Sequence, residues 1–348
     1  MRKLLLGLVF AMFTSVAYAD YTMVVPQKPG GGTSVWAEIV AKELEKYLGE
    51  NINIKHIPGA RDIPGFNKWH NEMRDDDKVI MVSHGGNGVA FLQEEVDYDY
   101  RQYESIGLMN LNIIAGKRIG EDMTTPSFAA GSGQTPEAYA MAMLICGPSH
   151  YGIMYYATCF KKKVKWIKGM GGSERRLAFK RGELTGTREN PAAYKKHVEP
   201  DSNAEIWFHH GILQADGSHT DDPNYPGFQF EELYKQKWGA YPVGEMYDAY
   251  KLVKSFRDGM QKALWVNQGN PNAKKLQDAL TEMSNNAESR AIIEKKVGKY
   301  EWLIGEEGNA HRDTLMTFVT PEALEDLVWF NIEALGLKSV FKIELALK

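Results

Sequence analysis

The sequence is short of cysteine, short of net positive charge and, past its first residues, short of long apolar runs. Two cysteines, Cys146 and Cys159, exclude a small disulfide-stapled scaffold and a multi-cysteine metal centre. An even pair in a secreted chain points to one disulfide, closing a loop of about 14 residues worth ~3 kcal/mol in the chain-entropy picture. Against 45 Asp and Glu stand 41 Lys and Arg, a net charge of −4. That balance argues against nucleic acid as a partner. The first apolar run, Leu4 to Val16, is too short to span a bilayer. It follows Arg2 and Lys3 and precedes Ala17-Tyr18-Ala19. Residues 1–19 are therefore expected to be a cleaved signal peptide, with Asp20 opening a mature periplasmic chain.

Several chemical signatures are also missing. Neither G-x-G-x-x-G nor a P-loop pattern occurs, so nucleotide binding has no support. His84 to Gly88, "HGGNG", resembles the oxyanion loop of an esterase, but the G-x-S-x-G turn such a hydrolase needs is absent. His209 and His210 are neighbours and would point to opposite faces of a strand. The acidic stretch from Ala215, "ADGSHTDDPNYPG", does not fit the spacing of an EF-hand. No metal and no cofactor are expected.

What is present is a repeated device. Tyr21–Val25 reads as a strand, and Thr33–Leu48 as a helix capped by Thr33 or Ser34 and stopped by Gly49. Asn51–His56 reads as a strand, Pro64–Arg74 as a short helix and Lys78–Ser83 as a third strand. This alternation implies an α/β protein with a parallel sheet and helices on its faces. Trp36 is expected to pack its helix on the sheet. Farther on, Tyr247–Val266, Ala273–Met283, Ala287–Val297 and Pro321–Leu335 read as amphipathic helices. By length, two domains are expected. Four times a strand runs into a Gly/Ser/Thr loop that opens a helix: Gly30–Ser34, Ser83–Gly88, Gly131–Thr135 and Lys168–Ser173. Such loops lie at the carboxyl ends of strands, where open α/β sheets bind ligands. Free N–H groups and the positive end of the helix dipole favour an anion there. Any one loop is turn chemistry as readily as a site; four together point to a carboxylate or phosphate. Arg61 and Arg188 are candidate clamps, because a guanidinium fork matches a carboxylate. Lys161, Lys162, Lys163 and Lys165, near Lys168, read as a solvated basic face.

"PGGGTS", "IPGARDIPG", "MVSHGG", "GSGQTP" and "WIKGMGGSERRLAFKRGEL" together resemble the periplasmic substrate-binding receptors of tripartite tricarboxylate transporters, the Bug-type solute-binding proteins. The resemblance implies a two-lobed, type II flytrap fold, each lobe a sheet flanked by helices, with the ligand cleft between them. It implies capture of an organic carboxylate by hinge closure and delivery to a membrane permease, with no chemistry done on the ligand. Lobe 1 is expected to take 20–110 and 225–348, and lobe 2 to take 111–224. Gly31, Gly32, Thr33 and Ser34 would hold a carboxylate, and Ser83, Gly85, Gly86 and Asn87 would line the same lobe. Ser132, Gly133, Gln134 and Thr135 would close from the second lobe. Lys168, Gly171 and Ser173 would form its other wall. The chain departs from the family pattern at Ser34, where Asp is usual, and at Arg61 and Asp62, which replace glycine. A monomer is expected. Two other outputs fit the sequence: presentation of a ligand to a sensor kinase, and, less well, ester hydrolysis at the HGGNG loop.

Overall fold

The computed structural model describes residues 20–59, 62–93, 95–130, 136–214 and 216–337. The expected signal peptide, 1–19, lies outside them. The chain begins with β1 (Tyr21–Val25), α1 (Gly32–Leu48), β2 (Ile52–His56), α2 (Ile63–Glu72), β3 (Val79–His84), α3 (Gly85–Ala90) and β4 (Tyr103–Met109). There follow β5 (Ile114–Arg118), β6 (Ser127–Ala129), α4 (Pro136–Cys146), α5 (Gly152–Lys163), β7 (Lys165–Ile167), α6 (Gly172–Lys180), β8 (Gly186–Glu189), α7 (Pro191–His197), β9 (Ala204–His209), β10 (Ile212–Leu213) and β11 (His219–Thr220). The last part holds α8 (Phe230–Trp238), α9 (Glu245–Gly259), β12 (Lys262–Asn267), α10 (Ala273–Asn285), α11 (Ala287–Val297), β13 (Trp302–Ile304), α12 (Glu306–Met316) and α13 (Pro321–Glu333).

Six strands form the largest sheet, in the order β13-β4-β12-β3-β1-β2. β1 runs parallel to β2 and β3, whereas β12 is antiparallel to β3 and β4, and β13 to β4. The chain leaves this sheet after Met109 and returns at Lys262. Between those points it builds a second sheet, β8-β5-β9, and the pair β6-β7. Both faces of the large sheet are covered, which alternation along its strands makes possible. Ile80, Val82, Leu264 and Val266 face Trp36, Val40 and Leu44 of α1 and Leu276 and Leu280 of α10. Val79, Met81, Ala263 and Trp265 face Phe66 and Trp69 of α2 and Val89 of α3. Full burial of one such large side chain contributes about 1.5–3 kcal/mol.

α1 and α2 thus lie on opposite faces although their strands are neighbours. The crossovers diverge between β1 and β3, which makes that gap the switch point of the sheet, where ligands bind in open α/β folds. The core on the α2 face continues through α9 into α4, α5 and α13, so this one apolar body joins the large sheet to the segment inserted between β4 and β12. Cys146 and Cys159 are bonded, with Cα atoms 6.2 Å apart, tying the end of α4 to α5.

Two expectations are corrected. The helix expected over Tyr247–Val266 is two elements: α9 ends at Gly259, and Lys262–Asn267 is the central strand β12. The unbroken apolar run "ALWV" after Lys262 hides the change of period. α1 begins at Gly32 with Gly31 as N-cap and no side-chain cap. Thr33 and Ser34 have other partners, described below.

Candidate functional site

The carboxyl ends of β1 and β3 present the first turns of α1 and α3. The N-terminal end of antiparallel β12 reaches the same edge, and Lys262 pairs in register with His84. Lys262 is almost fully buried, and its Nζ donates to Thr33 Oγ1 at 3.0 Å. Among the described residues it has no carboxylate within ion-pair distance. Burial, and then the nearby Arg257 cation, push its pKa down to about 7. Asp62 in part opposes that shift.

Asp62 caps α2 from a left-handed backbone conformation, φ 62°, one that Asp tolerates better than most residues. Its carboxylate does not cap the helix. It takes the His84 Nε2 proton at 2.7 Å and the Gln27 amide at 3.1 Å. Burial is the largest influence on Asp62 and acts to raise it, but the bond and charge of His84, the Gln27 bond and the Lys262 charge together make the net shift downward. His84 Nδ1 accepts the Gly86 N–H at 3.0 Å. Both ring nitrogens of His84 are therefore engaged, and burial holds the ring below its ordinary pKa.

Beside this group lies Arg257, at the end of α9. A Cβ on Gly85 would stand 1.9 Å from the Arg257 carbonyl oxygen, so only glycine lets α3 and α9 approach this closely. Burial lowers the Arg257 guanidinium to about 10, helped by Arg188 and Arg175 and opposed by Glu137 and Asp258. Among the described residues, its guanidinium makes no ion pair or hydrogen bond. Arg188 (β8) reaches Glu137 (α4) at 3.3 Å, and the glutamate is wholly buried. Burial is the largest influence on Glu137 and acts to raise it, but the Arg188, His210 and Arg257 cations together outweigh it and the net shift is downward. Glu137 Oε2 and Arg188 Nε are buried without a partner. Arg175 (α6) donates to the Arg188 carbonyl at 2.8 Å and pairs with Glu189 at 3.2 Å. His210 and Asp258 close the floor at 2.7 Å. Lys262, Arg257, Arg188 and Arg175 thus gather into one cationic cluster, drawn from the large sheet, α9 and the inserted segment. Buried like charges repel strongly unless an anion joins them.

The residues expected from sequence fall into four groups. Thr33, Gly85 and Arg188 belong to this cluster. Gly86 and Asn87 flank it, Asn87 by donating to the Asp62 carbonyl at 3.2 Å, and Gly31 and Gly32 form the more open turn into α1. Others are placed elsewhere. Ser34 Oγ donates to Glu38 and lies 2.9 Å from His56 Nε2. Ser83 is buried and accepts the Trp265 indole N–H at 2.8 Å. Lys168 donates to the Gly336 carbonyl, Gly171 N–H to Glu174, and Ser173 is exposed. Arg61, Ser132, Gly133, Gln134 and Thr135 lie outside the described residues. Sequence reasoning missed Arg257, Lys262, Arg175 and Glu137. A lysine opening the apolar strand "KALWV" was the available signal. Among the described residues no group of three or more His, Cys, Asp or Glu could hold a metal, and no helix is long and apolar enough to cross a membrane.

No family model matches the chain, and no curated protein matches it in sequence. Solved structures do match. A TctC solute-binding protein from Polaromonas superposes with a TM-score of 0.59 at 14% identity, over 86% of this chain and 96% of that one. The periplasmic binding protein BugD gives 0.57 at 16%, over 90% and 98%. MatC from Rhodopseudomonas palustris, with bound malate, gives 0.53 at 16%, over 90% and 98%. The chain therefore has the two-lobed α/β fold of periplasmic solute-binding proteins.

Proposed function

We propose that this chain is a periplasmic solute-binding protein of the tripartite tricarboxylate type, which captures an organic carboxylate between two lobes and delivers it to a membrane permease. The observation that carries this reading is the cluster of Lys262, Arg257, Arg188 and Arg175 at the switch point of the sheet. Arg257 has no anionic partner within ion-pair distance among the described residues, although Glu137 and Asp258 act on it from nearby. A ligand carboxylate supplies the missing charge, and a guanidinium can hold it bidentately. The bound malate in the MatC structure supports the same ligand class. We assign residues 20–110 and 225–348 to one lobe and 111–224 to the other, with the crossings near Asn110 to Ile113 and near Asn224 and Tyr225 as the hinge. The anion favours the closed arrangement because only there do cations from both lobes reach it. The occupied ring nitrogens of His84 support binding over hydrolysis, since the ring has no lone pair left to activate a nucleophile.

A thermal-shift screen tests the reading. Malate, adipate, succinate, citrate, benzoate and amino acids form the panel, with phosphate and a sugar as controls. A binder at 100 times its dissociation constant stabilises the fold by ~2.7 kcal/mol. A response to carboxylates and none to sugar is the expected result. Stabilisation by none of them, after unfolding and refolding to remove any co-purified ligand, would overturn it.

A further inference from the structure

Lys262 carries a buried amino group with a single hydrogen bond, to Thr33 Oγ1. Its surroundings are mixed in sign. Arg257 of α9 and Lys296 of α11 oppose its charge, and Asp62 ahead of α2 favours it. His84 of β3 stands opposite in register but spends its Nε2 proton on Asp62. Thr33 of α1 offers a hydroxyl, and Asp62 is already shared between His84 and Gln27. No carboxylate among the described residues is left over for Lys262.

We propose that Lys262 is a direct, proton-linked anchor for the anion: it holds one end of the ligand together with Thr33 and Arg257, and it takes up a proton from solvent as the ligand binds. The inference rests on the receptor reading above. The balance is simple. A neutral amine, one solvent proton and the anion become an ammonium paired to the anion, with no bond to carbon formed or broken. The downward shift of the empty-site lysine to about 7 agrees with this geometry, because burial and Arg257 both disfavour the charged form until an opposite charge arrives. The incoming carboxylate offsets both influences by bringing an opposite charge against the amine. Affinity therefore falls as pH rises above about 7, by up to tenfold per unit, as linkage requires. A fixed guanidinium at this position would bind without that dependence.

The test is calorimetric. The tightest binder among malate, adipate, succinate, citrate and benzoate is titrated into the full mature chain at pH 7.5. Imidazole and Tris serve as buffers, because their ionisation enthalpies differ and neither is an anion. The difference in observed heat counts the protons taken up. The expected uptake is between about a half and one proton per anion at pH 7.5, shrinking toward pH 6. Lys262→Arg keeps binding and loses the uptake. Lys262→Met loses both, with affinity down tenfold or more, and its melting curve shows that it is folded. Binding with no proton uptake in the wild type would overturn this inference and leave the receptor reading standing. So would the same uptake in Lys262→Arg, which would move the proton to another group, His84 first. Binding by no member of the panel would sink the receptor reading and this inference with it.

Discussion

Glu137 and Arg188 meet at 3.3 Å, joining α4 to β8, with the carboxylate wholly buried and Arg257 close enough to feel its charge. The protein's own carboxylate thus partly neutralises arginines that are otherwise crowded together. Removing one partner from a buried pair leaves the other uncompensated. Glu137→Gln should lower the stability of the empty protein by about 3–5 kcal/mol, read by urea denaturation. Carboxylate-induced stabilisation should be larger in the variant than in the wild type. A stability loss under about 1 kcal/mol, at the level of a surface pair, would show that Glu137 is not balancing the cluster.

Gly85, the first residue of α3, is a point of close approach to α9. An alanine there would place its Cβ 1.9 Å from the Arg257 carbonyl, against rigid backbone. Gly85→Ala should destabilise the fold by roughly 1–3 kcal/mol and displace Arg257, so melting temperature and carboxylate affinity fall together. Gly32 has open space around it, and Gly32→Ala should leave the melting temperature nearly unchanged. Equal effects of the two substitutions would contradict the packing account.

His311 packs under the site, donating from Nε2 to the Gly259 carbonyl at 3.0 Å. Burial pushes it down to about 4. Because this folded value lies below the unfolded one, only the unfolded chain gains a proton as pH falls from about 6.5 toward 4. Stability is therefore lost over that window. His311→Gln should flatten the loss relative to wild type by roughly 2–3 kcal/mol. Parallel pH–stability curves for the two proteins would rule the histidine out as the cause.

The bond between Cys146 and Cys159 spans 13 positions of sequence and constrains the unfolded chain. Reduction, or the Cys146→Ala/Cys159→Ala pair, should cost ~3 kcal/mol. Ligand affinity should change little, because the bond lies at the far end of α4 from Glu137. Unchanged melting under reductant would contradict the expected stabilisation.

Much of this architecture is legible before any coordinates. "YTMVV" and the periodic helix after it give β1 and α1, and the pair of cysteines gives the disulfide. The site is legible only in part. Thr33, Gly85 and Arg188 sit in loop and strand ends that local patterns mark. Lys262 meets Thr33 across 229 positions of sequence, and no local period reports such a contact. The same apolar run that disguised β12 as helix also hid the lysine at its start. Ser34 and Ser83 show the converse. Their neighbourhoods carry the right loop chemistry, but one hydroxyl turns to Glu38 and His56 and the other to Trp265.

The central claim is that a cationic cluster with an uncommitted arginine captures an organic carboxylate. The most direct test is equilibrium titration of the carboxylate panel into the wild type and Arg257→Gln. That substitution removes one of several crowded like charges, so the variant should fold at least as stably as the wild type. The account predicts saturable binding of at least one carboxylate to the wild type, weakened by roughly 2–5 kcal/mol in the variant. Binding of equal strength in both proteins would contradict it.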